Sequence, residues 1–453
     1  MRELYKQLSI HKSMNGNKLN GYLKNAFIGA FCLGSISLQA QEVNQLALSL
    51  DSAINFAVKH NRTLINSRFS IDKSSQKLKE TISQGLPQIS ASVDYSNFLG
   101  AEAELKLSDM APPVVIEFNP TSNFKLSATQ LVFNGGYYVG IQMSNLAKTL
   151  SEQSYIKDEI TVKEQVIQAY YMVLASERIL ETIKENKANA QVIYEKTRNL
   201  VNAGLLEQTD EKKLSIMLKS VDNAMKSTER QVEMGYNLLR LQIGLESGEP
   251  IVLTSNIDSI AQKCVLLHSI VSPFDINNNM DFKLVSLQGD MAKKQVLLKR
   301  ASYLPSIVAF YSYTEKLQKP AFDMSPKQVL GFTLTVPIFS SGQRQSQLNQ
   351  AKIDYSISRN SKDLVFQQLT LQERQLRFTF NNLYEQLSTQ KANVEIAKEV
   401  LDKMNLKYQQ GVVSSLELTS ANSEYLNAET TYTSLMLQLL NAELSLRKIN
   451  SNL

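Results

Sequence analysis

The chain has 453 residues, 43% of them hydrophobic, and a formal net charge of +5. Residues 1–40 hold five basic groups (Arg2, Lys6, Lys12, Lys18, Lys24) and one acidic group (Glu3), a net of +4, so 5 − 4 leaves +1 for residues 41–453. The basicity belongs to the leader and gives no reason to expect a nucleic-acid partner, while three histidines (His11, His60, His268) and two cysteines leave metal chemistry poorly supplied.

The leader has a basic start, an apolar run over 26–38 and a small residue, Ala40, before Gln41, which predicts a secretory signal peptide over 1–40. The run is too short to cross a bilayer as a helix. Met14 is an alternative start, since 14–40 alone has signal-peptide proportions. Cys32 follows the bulky Phe31, which argues against lipid attachment there. Removing the leader leaves Cys264 alone, so neither a disulfide within the chain nor a thiolate metal site is expected. No run of about 18 apolar residues follows, so membrane entry would require a barrel.

The first unit, 41–246, opens with a helix. A strand then starts at Leu86 and Pro87, with Ile89, Ala91, Val93 and Tyr95 on one face and Ser90, Ser92, Asp94 and Ser96 on the other. After a loop over about 99–122, Phe124, Leu126 and Ala128 alternate with Lys125, Ser127 and Thr129. This second strand runs to Phe133, Asn134, Gly135 and Gly136. A helix over about 139–201 carries two offset seams, one through Ile156, Ile160, Ile167, Tyr170 and Leu174, the other through Val162, Val166, Ala169 and Val173. Two seams imply neighbours on both sides, as in the wall of a tube. Gly204 is placed to end that helix and turn the chain. The next helix has a 3,4-spaced seam through Leu214, Leu218, Val221, Met225, Thr228, Val232, Gly235 and Leu239, the mark of coiled-coil packing.

Residues 247–279, with Pro250 and Pro273, read as an irregular connecting region packed outside the helices. The second unit, 280–453, then says the same thing again. Leu64 and Pro87 recur as Phe282 and Pro305 at an offset of 218, and Phe133 and Gly136 as Phe339 and Gly342 at 206. The 12-residue difference falls in the loop between the strands, about 315–328 here, where insertions are tolerated. One strand has Ile307, Ala309, Tyr311 and Tyr313 on one face. The other has Leu330, Phe332, Leu334, Val336 and Ile338 opposite Thr333 and Thr335. From Gly342 to Gly411 run 69 residues without proline, roughly 100 Å of helix, with a seam from Leu376 and Phe380 to Tyr408. The last helix keeps 3,4 spacing from Leu418 and Ala421 to Leu446 and Ile449.

Each strand is about ten residues long, enough for a tilted strand to cross a bilayer. A soluble sandwich with one buried face is the alternative. Four strands are too few for an independent barrel, so the membrane reading requires several chains to pool them. Tyr95, Phe98, Phe124, Phe133, Tyr311, Tyr313 and Phe339 suit interfacial belts or core packing.

The ordered, duplicated set resembles the TolC-like outer membrane efflux protein family over nearly the whole mature chain. The resemblance rests on the opening Leu48 to Ile54 with Asn61 following, on the strand starts Pro87 and Pro305, and on the strand–helix junctions at Gly136 and Gly342. It rests also on the tips after Gly204 and Gly411. It implies an α+β membrane protein: a homotrimer whose chains give four strands each to one twelve-stranded barrel, continued by a periplasmic helical tunnel. It implies a periplasmic adaptor and an inner-membrane transporter as partners, for drug efflux or type I secretion. Acidic side chains at the family's tip form a cation-selective gate, and Asp210 and Glu417 occupy matching positions here. A further acidic position is Ser420 in this chain, a departure from the pattern. Both carboxylates also suit helix N-termini without any gate.

Other readings find less support. Tyr170 and Tyr171 fall on a seam and read as packing, and Gly135 and Gly136 lack the glycine and lysine of a phosphate loop. No nucleophile elbow or metal-ligand spacing appears, so neither an enzyme nor a cofactor is expected. A periplasmic coiled-coil adaptor without a pore is the alternative, but two hairpins and four bilayer-length strands fit it poorly.

Overall fold

The computed structural model describes residues 46–106, 113–268, 274–318 and 325–453; the predicted signal peptide, with Cys32, lies outside the described residues. Strand β1 (Leu46–Leu48) leads to Ser49, whose hydroxyl accepts the backbone N–H of Ser52 at 3.2 Å and starts α1 (Leu50–His60). Asn61 is extended, ends α1, and caps α2 (Arg62–Ser83) by accepting from the N–H groups of Thr63 and Leu64. After Pro87 come β2 (Gln88–Ser96), β3 (Glu102–Leu105), β4 (Val114–Glu117) and β5 (Thr121–Asn134). Helix α3 (Gly135–Asn202) has 68 residues, about 100 Å, and is followed by α4 (Gln208–Ile243). Strand β6 (Ile251–Leu253), α5 (Ile257–His268) and a 3-10 turn (Ile276–Asn278) lead to α6 (Met280–Ala301), β7 (Ser306–Gln318) and β8 (Gln328–Thr335). The chain closes with α7 (Gln343–Gln409) and α8 (Ser415–Ile449).

The long strands form one antiparallel sheet in the order β2-β5-β7-β8. The helices pack as two hairpins, α3 with α4 and α7 with α8, and α3 also touches α2, α6 and α8. Its two predicted seams are both covered: Ile160, Ile167, Tyr170 and Leu174 are buried, as are Val162, Val166, Ala169 and Val173. Ile156 is the exception and stands exposed. Apolar packing concentrates in two places. One lies midway, around Leu64, Val166, Tyr170, Leu239 and Leu439; the other is near the tips, around Ile193, Leu214, Leu401 and Leu418.

Equivalent positions in the two halves do equivalent jobs. Asn279 caps α6 through Asp281 and Phe282 as Asn61 caps α2. Asn61 Nδ2 donates to the carbonyl of Gln242 at the end of α4 (2.6 Å), and Asn279 Nδ2 to that of Ile449 at the end of α8 (2.8 Å). Each asparagine joins the start of one helix to the finish of another, which a seam-based reading does not weigh.

Four features differ from the sequence expectations. The first inter-strand loop contains the hairpin β3–β4. The connecting region is not irregular throughout: β6 pairs in parallel with β1, and the Tyr170 hydroxyl donates to the Leu48 carbonyl (3.0 Å) and bonds Ser255 Oγ (2.9 Å), fixing both ends of that bridge to α3. Strand β8 stops at Thr335, short of Val336 and Ile338, because Pro337 has no N–H to give a ladder. The junction glycines therefore differ. Asn134 caps α3 directly and Gly136 lies inside the helix, whereas Gly342 is itself the cap of α7 at φ +81°, six residues intervening after β8.

Candidate functional site

The register gathers most of the apolar side chains of the sheet on one face, with Val308, Phe310 and Val329 on the other. Leu330, Phe332 and Leu334 of β8 sit opposite Tyr311, Ala309 and Ile307 of β7. Tyr311 and Tyr313 face Ala128 and Leu126, which face Ile89 and Ala91. The other face carries Ser90, Ser92, Lys125, Ser127, Ser312 and Thr333. Phe332 is 81% exposed and Ile89 72%, so this apolar face is bare in the single chain. Strands β2 and β8 have one unpaired edge each, which in a free sheet invites further pairing. Aromatic rings mark both ends of the strands: Phe98 lies 5.7 Å from Phe118 at one end, and Phe133 lies 6.3 Å from Tyr138 at the other.

The opposite extreme of the molecule is the pair of hairpin tips. Gly204 (φ +74°) and Gly411 (φ +75°) sit just past the ends of α3 and α7. The N–H groups of Leu205 and Val412 reach back to the carbonyls of Leu200 (2.9 Å) and Lys407 (3.0 Å). Both turns need a left-handed residue there, and glycine adopts it without a Cβ clash.

The two predicted carboxylates lie beside these turns but behave differently. Glu417 folds back on its own helix start: Ser414 donates its N–H (2.7 Å) and its hydroxyl (3.0 Å) to Glu417 Oε2, and the Glu417 N–H returns a bond to Ser414 Oγ. This capping box holds the exposed carboxyl below the usual carboxylate range, chiefly through the Ser414 N–H. Asp210 instead reaches across to the other hairpin, accepting from the buried Ser415 hydroxyl at 2.5 Å. Behind it the Tyr408 hydroxyl bonds Thr197 Oγ1 at 3.0 Å. Burial raises the Tyr408 phenol above its ordinary value, and Asp210 adds to the rise.

Further polar contacts join the hairpins higher up. Asn186 Nδ2 donates to Asn422 Oδ1 at 2.6 Å. Arg178 on α3 binds Glu429 on α8 at 3.1 Å, pairs with Asp258 on α5, and lies 5.4 Å from the Tyr432 ring centre. Lys448 on α8 meets Glu164 on α3 at 2.6 Å. Apolar periodicity passes over all of these. The available signal was a polar residue such as Asn186, Asn422 or Glu429 falling where the helix face should be buried. Among the described residues no cluster of three or more His, Cys, Asp or Glu stands ready for a metal, and no helix is long and apolar enough to cross a membrane.

Comparison with known proteins agrees with this geometry. The family model described as "Outer membrane efflux protein" matches residues 53–244 and 276–450. The outer membrane protein TolC of Salmonella enteritidis is 22% identical over 403 residues, covering 84% of this chain and 78% of that protein. A crystal structure of CusC, a protein whose conformational changes accompany folding and transmembrane channel formation, superposes with a TM-score of 0.73 at 18% identity, covering 88% of this chain and 91% of that one. The CmeC outer membrane channel of Campylobacter jejuni gives 0.71 at 16% identity, covering 89% and 85%.

Proposed function

Because the chain belongs to the outer membrane efflux protein family, we propose that three copies assemble into the passive outer duct of a tripartite export system. The protein resides in the outer membrane of a Gram-negative bacterium with a periplasmic portion, and its family is one of efflux channels. The observation that carries the finer reading is the four-stranded sheet with one bare apolar face and two open edges. A lipid-exposed edge leaves backbone groups without partners, so β2 of one copy pairs with β8 of the next until the sheet closes. Three copies of four strands give twelve. The hairpins then continue the barrel as a tube of about 100 Å into the periplasm.

At the tips, Asp210 and Glu417 form the gate and cation filter, three copies of each crowding negative charge around one axis. Ser420 supplies no charge to that ring. An adaptor helix docks beside it in the apolar groove between α4 and α8, lined by Ile216, Val221, Ala224 and Leu426. An inner-membrane transporter selects the cargo, so the duct serves drug efflux and type I secretion alike. A pore-less adaptor would not need a bare apolar sheet face. The test of assembly is outer-membrane fractionation with heat-sensitive trimer migration; a monomer that stays soluble without detergent overturns it.

Glu417→Gln separates the gate from the cap. Glutamine keeps the capping box while removing the charge. Single-channel currents of the variant in a planar bilayer are expected to show a lower cation preference, and unchanged selectivity returns Glu417 to capping alone. The wild-type preference should persist as pH falls through the ordinary glutamate range, near 4.3. A depressed pKa keeps the carboxylate charged there and releases the charge only below it.

A further inference from the structure

A second cluster of acceptors lies away from the tips, in a polar cavity of about 140 Å³ between the two hairpins. Asn186 and Asn422 lie in its lining, joined by Asn405, Glu185, Asp402 and Lys398. Asn186 is 5% exposed. Its Nδ2 is spent on Asn422, and its Oδ1 is buried without a hydrogen-bond partner; Asn405 Oδ1 is in the same condition. A buried acceptor without a donor is costly, so two in one cavity ask for an occupant. Two carboxylates against one ammonium give the lining a net charge of −1. Tyr425, also in the lining, reports this field: burial first, then the carboxylates of Glu429, Glu185 and Asp402, hold its phenol above the ordinary value.

Amide carbonyls with carboxylates, and no thiolate or imidazole, are the ligand set of a hard cation; the lining's one sulfur is the weakly basic thioether of Met217. We propose that this cavity binds a divalent cation of the calcium type, using the side-chain oxygens of Asn186, Asn405, Glu185 and Asp402, with water completing the shell. A water needs roughly 10–15 Å³ of such space, so there is room for an ion and several waters. Glu185 and Asn186 belong to α3, Asp402 and Asn405 to α7. The ion therefore ties the first hairpin to the second, and relative movement of the hairpins depends on the divalent concentration around the stalk. Two carboxylates rather than three or four make it a weak site, with Kd on the order of 10⁻⁴–10⁻³ M, suited to a compartment open to the exterior.

Terbium is the test probe. The chain has no tryptophan, so exciting tyrosine in the purified full-length protein in detergent should sensitise Tb³⁺ emission through Tyr425. The expected result is saturable emission that calcium displaces. Asp402→Asn and Asn186→Leu should each weaken binding at least tenfold. Asp402 is exposed, so its variant folds even if the buried Asn186 change does not. Calcium should also raise the melting midpoint of the wild type and not of Asp402→Asn. Emission that fails to saturate, ignores calcium, or is equal in wild type and Asp402→Asn overturns the site. Binding is read on the protein itself, so its failure leaves the channel reading untouched.

Discussion

Phe332→Arg is expected to keep the protein out of the outer membrane fraction. Phe332 stands 81% exposed on the apolar face of the four-stranded sheet, between Leu330 and Leu334 on β8. In a closed barrel that face meets hydrocarbon. An arginine near the bilayer midplane of a barrel costs about 2–4 kcal/mol, and a trimer carries the substitution three times. The measurement is the amount of heat-sensitive trimer in the outer membrane. Thr333→Arg is the control, one residue along and on the opposite face, which the proposed barrel would turn to its lumen, where the charge should be tolerated. If Thr333→Arg is the damaging change and Phe332→Arg inserts normally, the faces of the sheet are reversed.

Gly244→Val should be the most damaging single change in the helical part. Gly244 ends α4 at φ +84°, and a Cβ there would lie 2.4 Å from the carbonyl oxygen of His60. That oxygen belongs to the backbone at the α1–α2 break, where Asn61 also holds the Gln242 carbonyl, so it has no side-chain freedom with which to retreat. Left-handed backbone alone costs a non-glycine residue about 1–2 kcal/mol. Adding the clash brings the expected loss to about 3 kcal/mol or more, near the upper end for single substitutions. Gly248→Val isolates the first part, since Gly248 is also left-handed (φ +95°) but has nothing within 4 Å of its Cβ position. Thermal unfolding in detergent should place Gly244→Val well below Gly248→Val. Equal melting points would mean that the α1–α2 break yields to the added methyl groups.

Much of this architecture could be read from residue order. Period-two alternation in Ile89 to Tyr95 and Leu330 to Leu334 marked strands with one apolar face, and the 3,4 spacing from Leu418 to Ile449 marked a packed helix. These patterns are legible because side-chain direction repeats with the backbone, so one face collects one kind of residue. The glycines of the tips were legible because a long helix without proline needs a left-handed residue to stop it. Where the pattern broke locally, the reading slipped: Pro337 ends β8 early, and the hairpin β3–β4 is too short to raise a periodic signal.

Pairing across the chain was a different matter. The sequence by itself determined the long helices and the long strands, and which of their faces seek an apolar neighbour, because those are local consequences of periodicity and turn chemistry. Only the tertiary structure decided that Asp210 bonds Ser415, that Arg178 joins α3, α5 and α8, and that Asn186 and Asn405 leave acceptors in one cavity. Those contacts join residues up to about 250 positions apart. Polar side chains of that kind carry no periodic mark, and their partners are fixed by how two hairpins lie against each other.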